Sequence, residues 1–436
     1  MKKHLLIGLG AIGKSFLRIL VEQCLFDSDS FFCVDPDPKV IEVFIGLGGL
    51  PSHFTCAKIT KNTYADFLNE YRSGDFVFNL ANDIKDLDLL RLALQNGFHY
   101  LSLSDSNWDP DDPTWSSVHQ HFLEYQKILK HIKKGTNTSL IEFGMNPGLV
   151  SSFAKKCIEQ IVATDNNSFI QKNRKRLQKL IKKEAYGSVA KIIGVELVVE
   201  VDHDNQSYNT TCEESCLYSP WSPSSFCHES LSAPEIIVGT RKQFYQFDKV
   251  RDCDFHDYYL SLPFHGIDCQ EKVYSPQGIV DGYLIAHEEV FSLRQLFTSG
   301  NYKPTVFFVY CPCHIAKKSI QNIKKNPNTN FKLLEREELL NGGESVGIIL
   351  QGKHFNTAYY GNYLDCSKLT NETPTVLQVS ASALAAYKYI CNHPNDGILF
   401  PEAVNANEVL KTASEYLGEY QFRRCPDIIP RFKATL

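Results

Sequence analysis

A glycine-rich stretch near the start of the chain, LLIGLGAIGKSF at residues 5–16, constrains the fold more than any other feature. Its apolar run ends in three glycines, and apolar residues then recur at helical spacing, which predicts a strand, a tight turn and a helix. In such a turn, backbone N–H groups and the positive end of the helix can bind a pyrophosphate. The predicted cofactor-binding residues are Gly8, Gly10, Ala11, Ile12 and Gly13. A glycine turn in another kind of α/β protein is the alternative.

Two further predicted strands support the dinucleotide interpretation. The strand Phe31–Val34 ends in Asp35, at the spacing of the acidic residue that binds a ribose 2′-hydroxyl. An acid at this position, rather than a basic residue, predicts NAD rather than NADP. The strand at residues 76–81 brings Asn79 and Leu80 to the edge of the sheet at which ligands bind, so both are predicted to contact the cofactor.

The pattern of predicted elements divides the chain into three segments. Strands and helices alternate through residues 1–148, which predicts a Rossmann dinucleotide-binding domain. Strand-rich segments dominate residues 149–375, which predicts an α+β substrate-binding and dimerisation domain with a mostly antiparallel sheet. The last segment, 376–436, begins with an alanine-rich helix and is predicted to be helical and to pack back on the Rossmann domain. The fold class is therefore α/β.

Charge and cysteine content exclude several classes of partner. The 45 basic and 50 acidic residues give a net charge of −5, which offers no general attraction to nucleic acid or to a membrane surface. No apolar run reaches the roughly 18 residues of a membrane span. No signal-peptide pattern precedes the first strand. We expect a cytoplasmic protein whose 14 cysteines are reduced thiols.

The segment Cys311-Pro312-Cys313-His314 places two thiols and an imidazole close together. A zinc site normally requires a second pair of ligands at a recognisable distance. We therefore predict no metal site.

Five carboxylates and one indole of the second domain favour a cationic substrate: Glu200, Asp202, Glu229, Glu235, Glu289 and Trp221. A carboxylate pairs with an ammonium group, and an aromatic face attracts a cation through its quadrupole. No arginine fork for a carboxylate substrate accompanies them. His287 follows a predicted strand beside two acids, where it is either a proton-transfer group or a structural histidine. Beside a nicotinamide, this set favours oxidation or reduction at a carbon that bears an amine.

Seven motifs, taken in chain order, resemble those of the bacterial homospermidine synthases, which form part of the saccharopine dehydrogenase-like group. They are Gly8–Gly13 with Val34-Asp35-Pro36, Asn79–Asp88, Asn146–Ser151, Trp221–Thr240, His287 with Glu289, Tyr310–Cys313 and Leu377–Ser380. The resemblance covers nearly the whole chain, argues further against a zinc site, and implies a homodimer.

The resemblance implies a complete reaction. Tightly held NAD oxidises putrescine to an imine, a second amine displaces ammonia, and the same NADH reduces the resulting Schiff base to homospermidine. Spermidine and other diamines or polyamines are the further partners implied. The roles implied are cation stabilisation by Trp221, proton transfer by Glu229 and Glu200, substrate orientation by Asn146 and Asp83, and lining of the pocket by His287. Asp202 takes the place of Glu200 if the alignment shifts by two residues.

One segment departs from the resembled pattern. Where the family carries a glutamate before Pro-Trp, this chain reads Asp105-Ser106-Asn107-Trp108, with Ser106 at the position of the glutamate. Six residues are candidates for substrate binding without an assigned role: Asp105, Ser106, Asn107, Asp202, Glu235 and Glu289. Two alternatives stay open: a saccharopine- or carboxynorspermidine-type Schiff-base reductase, and a non-catalytic protein that binds NAD or polyamines.

Overall fold

The computed structural model describes residues 2–104, 106–109, 117–131, 137–240, 254–256, 259–323, 330–428 and 433–434. The chain forms two compact units. Unit 1 comprises Met1–Leu149 and Val376–Tyr416, and unit 2 comprises Val150–Thr375 and Leu417–Leu436. Within the described ranges, no helix is both long enough and apolar enough to cross a membrane.

The helices and strands, in chain order, are β1 (His4–Ile7), α1 (Ala11–Glu22), β2 (Phe31–Asp35), α2 (Val40–Gly46), β3 (Phe54–Cys56), α3 (Tyr64–Leu68), β4 (Phe76–Asn79), α4 (Asp86–Asn96), β5 (His99–Ser102), α5 (Val118–His131), β6 (Thr138–Leu140), α6 (Val150–Thr164), α7 (Ser168–Ile181), α8 (Tyr186–Ile193), β7 (Val195–Asp204), β8 (Ser207–Tyr208), β9 (Cys216–Ser219), α9 (Pro223–Leu231), β10 (Glu235–Ile237), β11 (Asp254–His256), β12 (Tyr259–Ser261), β13 (Cys269–Ser275), β14 (Gly278–Ile285), α10 (Glu289–Phe297), β15 (Thr305–Cys311), α11 (His314–Ile323), β16 (Asn330–Leu333), β17 (Leu339–Asn341), β18 (Gly343–Gly352), β19 (Ala358–Asp365), α12 (Pro374–Asn392), β20 (Gly397–Leu399), α13 (Ala406–Ala413), β21 (Glu419–Arg424) and β22 (Lys433–Ala434).

Unit 1 contains a seven-stranded sheet in the order β20-β6-β5-β4-β1-β2-β3, with every pair parallel. The strand order reverses between β1 and β4, and ligands of doubly wound sheets bind at such a reversal. Apolar residues of β1 and β4, among them Leu5, Ile7 and Val77, pack with α4 in one buried core. The predicted Rossmann domain is confirmed.

Unit 2 contains a larger, mostly antiparallel sheet of eleven strands. Its central strand, β7, pairs in parallel with β15 and antiparallel with β18. Because side chains alternate across a strand, Leu197, Val199 and Val201 point into a buried apolar core on one face. The intervening residues of β7, Glu200 among them, point to the other face. The predicted α+β domain with a mostly antiparallel sheet is confirmed.

The prediction for the C-terminal segment is wrong over residues 417–436. The segment joins unit 2 rather than the Rossmann unit, since β21 pairs antiparallel with β19 and β22 pairs with β13. Tyr420 and Phe422 alternate with polar residues at the period of a strand, and the Tyr420 ring lies 5.6 Å from the Phe153 ring of α6. The strand signal is short and follows two helices. The stronger helical pattern of the alanine-rich α12 therefore led to a helical prediction for the whole segment.

Candidate active site

The glycine turn of unit 1 has the geometry that a dinucleotide requires. Gly8 has φ +90°, and a Cβ there would lie 3.0 Å from the backbone nitrogen of Ala81. A Cβ on Gly13 would lie 2.3 Å from the Gly8 carbonyl oxygen, whereas a Cβ on Gly10 would meet open space. Since Gly10 caps α1 without any side-chain hydrogen bond, the first N–H groups of α1, those of Ala11 and its successors, can bind a pyrophosphate. The turn therefore fits the predicted cofactor.

Asp35 has a further role that sequence reasoning did not identify. Its Oδ2 accepts the Leu9 N–H at 2.6 Å and its Oδ1 accepts the Asp37 N–H at 2.8 Å, with the side chain 8% exposed. The carboxylate thus fixes the backbone of the glycine turn. A carboxylate oxygen has two lone pairs, so the same group can also accept a ribose hydroxyl.

The remaining candidates of unit 1 lie in loops beyond the strands. Leu80 continues from β4, with its N–H donating to the Ile7 carbonyl at 2.9 Å. Asp83 has φ +61° and lies 3.6 Å from the Lys58 ammonium. Asn146 lies in a turn that the Leu149 N–H closes on the Gly144 carbonyl at 3.0 Å.

The segment that departs from the resembled pattern is partly described. The Ser106 hydroxyl donates to the Ile84 carbonyl oxygen, so it is occupied by the backbone. Asn107 is buried, and its Oδ1 accepts the Trp108 N–H at 2.9 Å. Asp105 lies outside the described residues.

Three carboxylates of unit 2, Glu200, Asp202 and Asp204, occupy alternate positions at the end of β7 and share one face of the sheet. Phe308 and Tyr310 of β15 lie opposite the first two, and Glu344 of β18 lies opposite Asp204. All four carboxylates are buried, with Glu200 fully so. We call Glu200, Asp202, Asp204, Glu229, Glu288, Glu289 and Glu344 the acidic cluster.

Glu200 is the most exceptional member of the acidic cluster. Neither of its carboxylate oxygens receives a hydrogen bond from the described part of the chain. His287 lies beside it, with Nδ1 3.7 Å from Oε2. Burial, together with the negative charges of Glu289, Asp202 and Glu288, raises the pKa of Glu200 well above its usual range. The side chain therefore favours its protonated form until a cation binds beside it.

Glu289 is held differently, although it is equally buried. It begins α10, and its Oε1 accepts hydrogen bonds from the Ser151 hydroxyl of α6 and from the Ser292 hydroxyl at 3.1 Å. Its backbone N–H lies 3.4 Å from His287 Nδ1. Hydrogen bonds and a helix N-terminus both stabilise a carboxylate. Among the described residues, Glu289 therefore has hydrogen-bond donors that Glu200 lacks.

Trp221 and Glu229 are brought to the same region by the segment that leads into α9. The Trp221 indole N–H donates to the Tyr310 hydroxyl at 3.3 Å, and its ring packs edge-on against Phe226. Burial and the charges of Glu288 and Asp202 raise the pKa of Glu229 well above its usual range. The structure thus brings Trp221, Glu229, Glu200, Asp202, His287 and Glu289 together in one unit.

Three members of the acidic cluster, Asp204, Glu288 and Glu344, were not predicted as site residues. The pKa of Glu344 is raised well above its usual range, mainly by burial and further by the negative charges of Asp202 and Asp204. Burial also raises the pKa of Asp204, to about 6. Glu344 meets Asp204 only through the pairing of β18 with β7, so no local pattern reveals it. Asp204 continues the alternation of Glu200 and Asp202, and this period of two was the signal that could have found it.

Glu235 is hydrogen-bonded to a tyrosine. It is buried on β10, where its Oε1 accepts a hydrogen bond from the Tyr259 hydroxyl at 2.7 Å.

Cys311 and Cys313 are buried thiols whose pKa values are raised by burial. Among the residues that the structure describes, no group of three or more His, Cys, Asp or Glu side chains is arranged to hold a metal ion.

The fold and the glycine turn define the class of protein. Residues 4–136 match the family model described as the saccharopine dehydrogenase NADP binding domain. Unit 1 therefore carries an NAD(P)-binding domain of this class.

Similarity over nearly the whole chain narrows the class. Homospermidine synthase of Blastochloris viridis is 24% identical over 438 residues, covering 95% of this chain and 89% of that protein. Homospermidine synthase of Mesorhizobium japonicum is 25% identical over 444 residues, covering 95% and 88%. The chain is a homologue of the homospermidine synthases, and the predicted resemblance is confirmed.

Solved structures agree with this fold. Homospermidine synthase of Legionella pneumophila, solved in complex with NAD, aligns with a TM-score of 0.84 at 23% identity, covering 97% of this chain and 91% of that chain. Apo saccharopine dehydrogenase (L-Glu forming) of Saccharomyces cerevisiae aligns with a TM-score of 0.56 at 10% identity, covering 97% and 100%. Both share the fold described above.

Proposed function

We propose that this protein is an NAD-dependent homospermidine synthase. Two molecules of putrescine give one of homospermidine and one of ammonia, and spermidine serves as a further aminobutyl donor. The observation that carries the proposal is the fully buried Glu200, whose two oxygens receive no hydrogen bond from the described residues while other carboxylates surround it. A buried carboxyl in this state is costly unless a ligand supplies donors and positive charge.

The chemistry of the acidic cluster selects a ligand with more than one ammonium group. The charges that act on Glu200, Glu229 and Glu344 belong to other carboxylates. Several carboxylates that repel one another are each stabilised when an ammonium donates hydrogen bonds among them. A diamine places a cation at both ends of a flexible apolar chain. Diamines and polyamines therefore complement the cluster better than a singly charged amine.

Proton transfer is the second requirement, because an alkylammonium of pKa near 10 must lose a proton before its carbon can lose hydride. A carboxylate whose pKa is raised by burial is a stronger base than one in water, so its pKa lies closer to that of the amine. Glu200 and His287, 3.7 Å apart, can share the proton once it leaves the amine. Glu289, held by two serine hydroxyls, lies in the same acidic cluster.

The aromatic side chains beside the acidic cluster supply the remaining functions. The Trp221 face can stabilise the ammonium and the cationic character of the imine through its quadrupole. Phe308 and Tyr310 are buried against the same carboxylates and keep water from the imine, which water would otherwise hydrolyse.

Gly8, Gly10, Gly13 and Asp35 would hold NAD, which accepts hydride from the amine-bearing carbon and returns it in the second half of the reaction. Asp35 disfavours the 2′-phosphate of NADP, because two negative charges would then lie together. We propose that the turn would keep NAD bound through the whole cycle, so that the cofactor is retained rather than exchanged. We also propose that the protein acts as a homodimer.

Two other functions have less support from the site. A Schiff-base reductase of the saccharopine or carboxynorspermidine type acts on substrates that carry carboxylates, which the acidic cluster would repel. A non-catalytic binding protein would form no product from any diamine. Loss of turnover in Trp221→Ala with unchanged NAD affinity would exclude it.

The test is incubation of purified protein with NAD and putrescine. We expect homospermidine and ammonia in equal amounts without net formation of NADH. Stoichiometric accumulation of NADH would instead indicate a simple amine dehydrogenase.

A further inference from the structure

A buried carboxylate beneath the cofactor turn belongs to none of the roles described above. Asp86 is the first residue of α4 and is fully buried. Its Oδ1 accepts a hydrogen bond from the Asn79 amide, Nδ2, at 2.9 Å and another from the Tyr100 hydroxyl. Since burying a charge is costly unless donors satisfy it, this side chain requires both partners and the positive end of α4.

Asp86 is connected to the glycine turn by a short series of contacts. The other end of the Asn79 amide, Oδ1, accepts the N–H of Ala81 at 3.4 Å. Ala81 in turn lies against Gly8 so closely that a Cβ on Gly8 would be 3.0 Å from its nitrogen and 3.1 Å from its Cα. The loop after β4 and the turn after β1 therefore fit together at Gly8.

A carboxylate at position 86 determines which way the Asn79 amide points. An ionised carboxylate only accepts hydrogen bonds, so the Asn79 NH₂ must face it and the Asn79 oxygen must face the Ala81 N–H. Tyr100, also fully buried, contributes a second donor to the same oxygen of Asp86. An amide at position 86 could equally donate, and the orientation of Asn79 would no longer be unique.

We propose that Asp86 is a positioning residue for the cofactor turn. It fixes Asn79, Asn79 fixes Ala81, and Ala81 holds Gly8 in the conformation that admits a pyrophosphate. The inference rests on the proposed binding of NAD and adds to it the residue that preorganises the site.

The test compares Asp86→Asn with Asp88→Asn. Both substitutions remove one negative charge from the first turn of α4, but Asp88 contacts Arg91 at 3.0 Å and the Trp108 indole at 2.8 Å rather than Asn79. The NAD dissociation constant is measured by calorimetry, well below the Tm of each variant. We expect D86N to raise it about tenfold to a hundredfold, the range for loss of a hydrogen bond to a charged group. D88N should change it less than about twofold, within the usual effect of a remote surface change.

A double-mutant cycle separates positioning from general destabilisation. If Asp86 acts through Asn79, then D86N should add no further loss of NAD affinity to Asn79→Ala. An equal loss in both backgrounds would overturn the proposal, as would an unchanged NAD affinity in D86N. If D86N does not fold, unchanged NAD affinity in N79A still overturns the proposal, because it breaks the series of contacts at its middle. A wild-type protein that binds no NAD refutes the proposed function itself, whereas tight wild-type binding with unaffected variants refutes only the role of Asp86.

Discussion

The substitution Glu200→Gln should make the protein more stable and less active. Glu200 is fully buried among carboxylates, and neither oxygen receives a hydrogen bond from the described residues. Glutamine has nearly the same shape, carries no charge, and can donate hydrogen bonds to neighbouring carboxylates. The substitution therefore removes a source of strain from the free protein and removes a charge that the substrate needs.

The size of both effects follows from the burial of Glu200. An unsatisfied buried polar group costs about 1–3 kcal/mol, so the free energy of unfolding should rise by an amount of this order. For a domain of this size, Tm changes by about 2–4 °C per kcal/mol. A hydrogen bond to a charged group contributes about 1.5–3 kcal/mol, so kcat/KM for putrescine should fall about tenfold to 150-fold.

The gain in stability should depend on pH in a defined direction. The folded-state pKa of Glu200 is raised above its ordinary value of 4.5, so the folded protein keeps a proton that the unfolded chain releases. Stability is therefore lost as the pH rises above 4.5, until the pH passes the folded-state pKa. Glutamine does not titrate. The Tm advantage of E200Q should grow across this window.

Thermal melts between pH 4 and 9 and steady-state kinetics on the same samples measure both effects. Glu196→Gln is the matched control, since Glu196 lies on the same strand, is only half buried, and stands outside the acidic cluster. It should leave kcat/KM and the pH dependence of Tm near those of the wild type. A lower Tm in E200Q, or an unchanged kcat/KM, would refute the reasoning.

Five other substitutions test the cation–π contact, the cofactor turn, the acidic cluster and the cofactor preference. Trp221→Leu should lower kcat/KM for putrescine about threefold to thirtyfold, which is the contribution expected of a cation–π contact. The NAD affinity, measured by calorimetry, should not change. Gly10→Ala should weaken NAD binding without changing Tm, because its Cβ meets open space, whereas Gly13→Ala should also lower Tm, because its Cβ would lie 2.3 Å from a carbonyl oxygen. The KM for putrescine should fall as the pH rises through about 6, the raised pKa of Asp204, because the ionised carboxylate attracts the ammonium group. Asp204→Asn should remove this part of the pH dependence of KM. Asp35→Ser should narrow the preference for NAD over NADP measured from the two dissociation constants.

Local sequence patterns predicted the parts of the molecule whose chemistry is local. The glycine turn and Asp35 lie within one βαβ unit, so their spacing alone indicates a dinucleotide site. The density of acids around Glu200 likewise favoured a cationic substrate. The further contacts of Asp35, with the N–H groups of Leu9 and Asp37, depend on how the chain folds back and have no such pattern.

The parts that sequence could not predict depend on register between distant segments. Ser151 and Glu289 are 138 positions apart, yet their side chains are hydrogen-bonded. Glu344 joins the acidic cluster only because β18 pairs with β7 in one particular register. A shift by one residue would turn Glu344 to the apolar face. The roles assigned to these residues stay predictions until the variants are measured.

The central claim is that one retained NAD carries hydride from the donor amine and returns it to the product. Putrescine deuterated at both carbons next to nitrogen tests this directly, with an excess of unlabelled NADH in solution. If the cofactor is retained, mass spectrometry should find homospermidine with all the deuterium of both putrescine molecules. A product one mass unit lighter would show that the reduced cofactor exchanges with solution, and would contradict the claim.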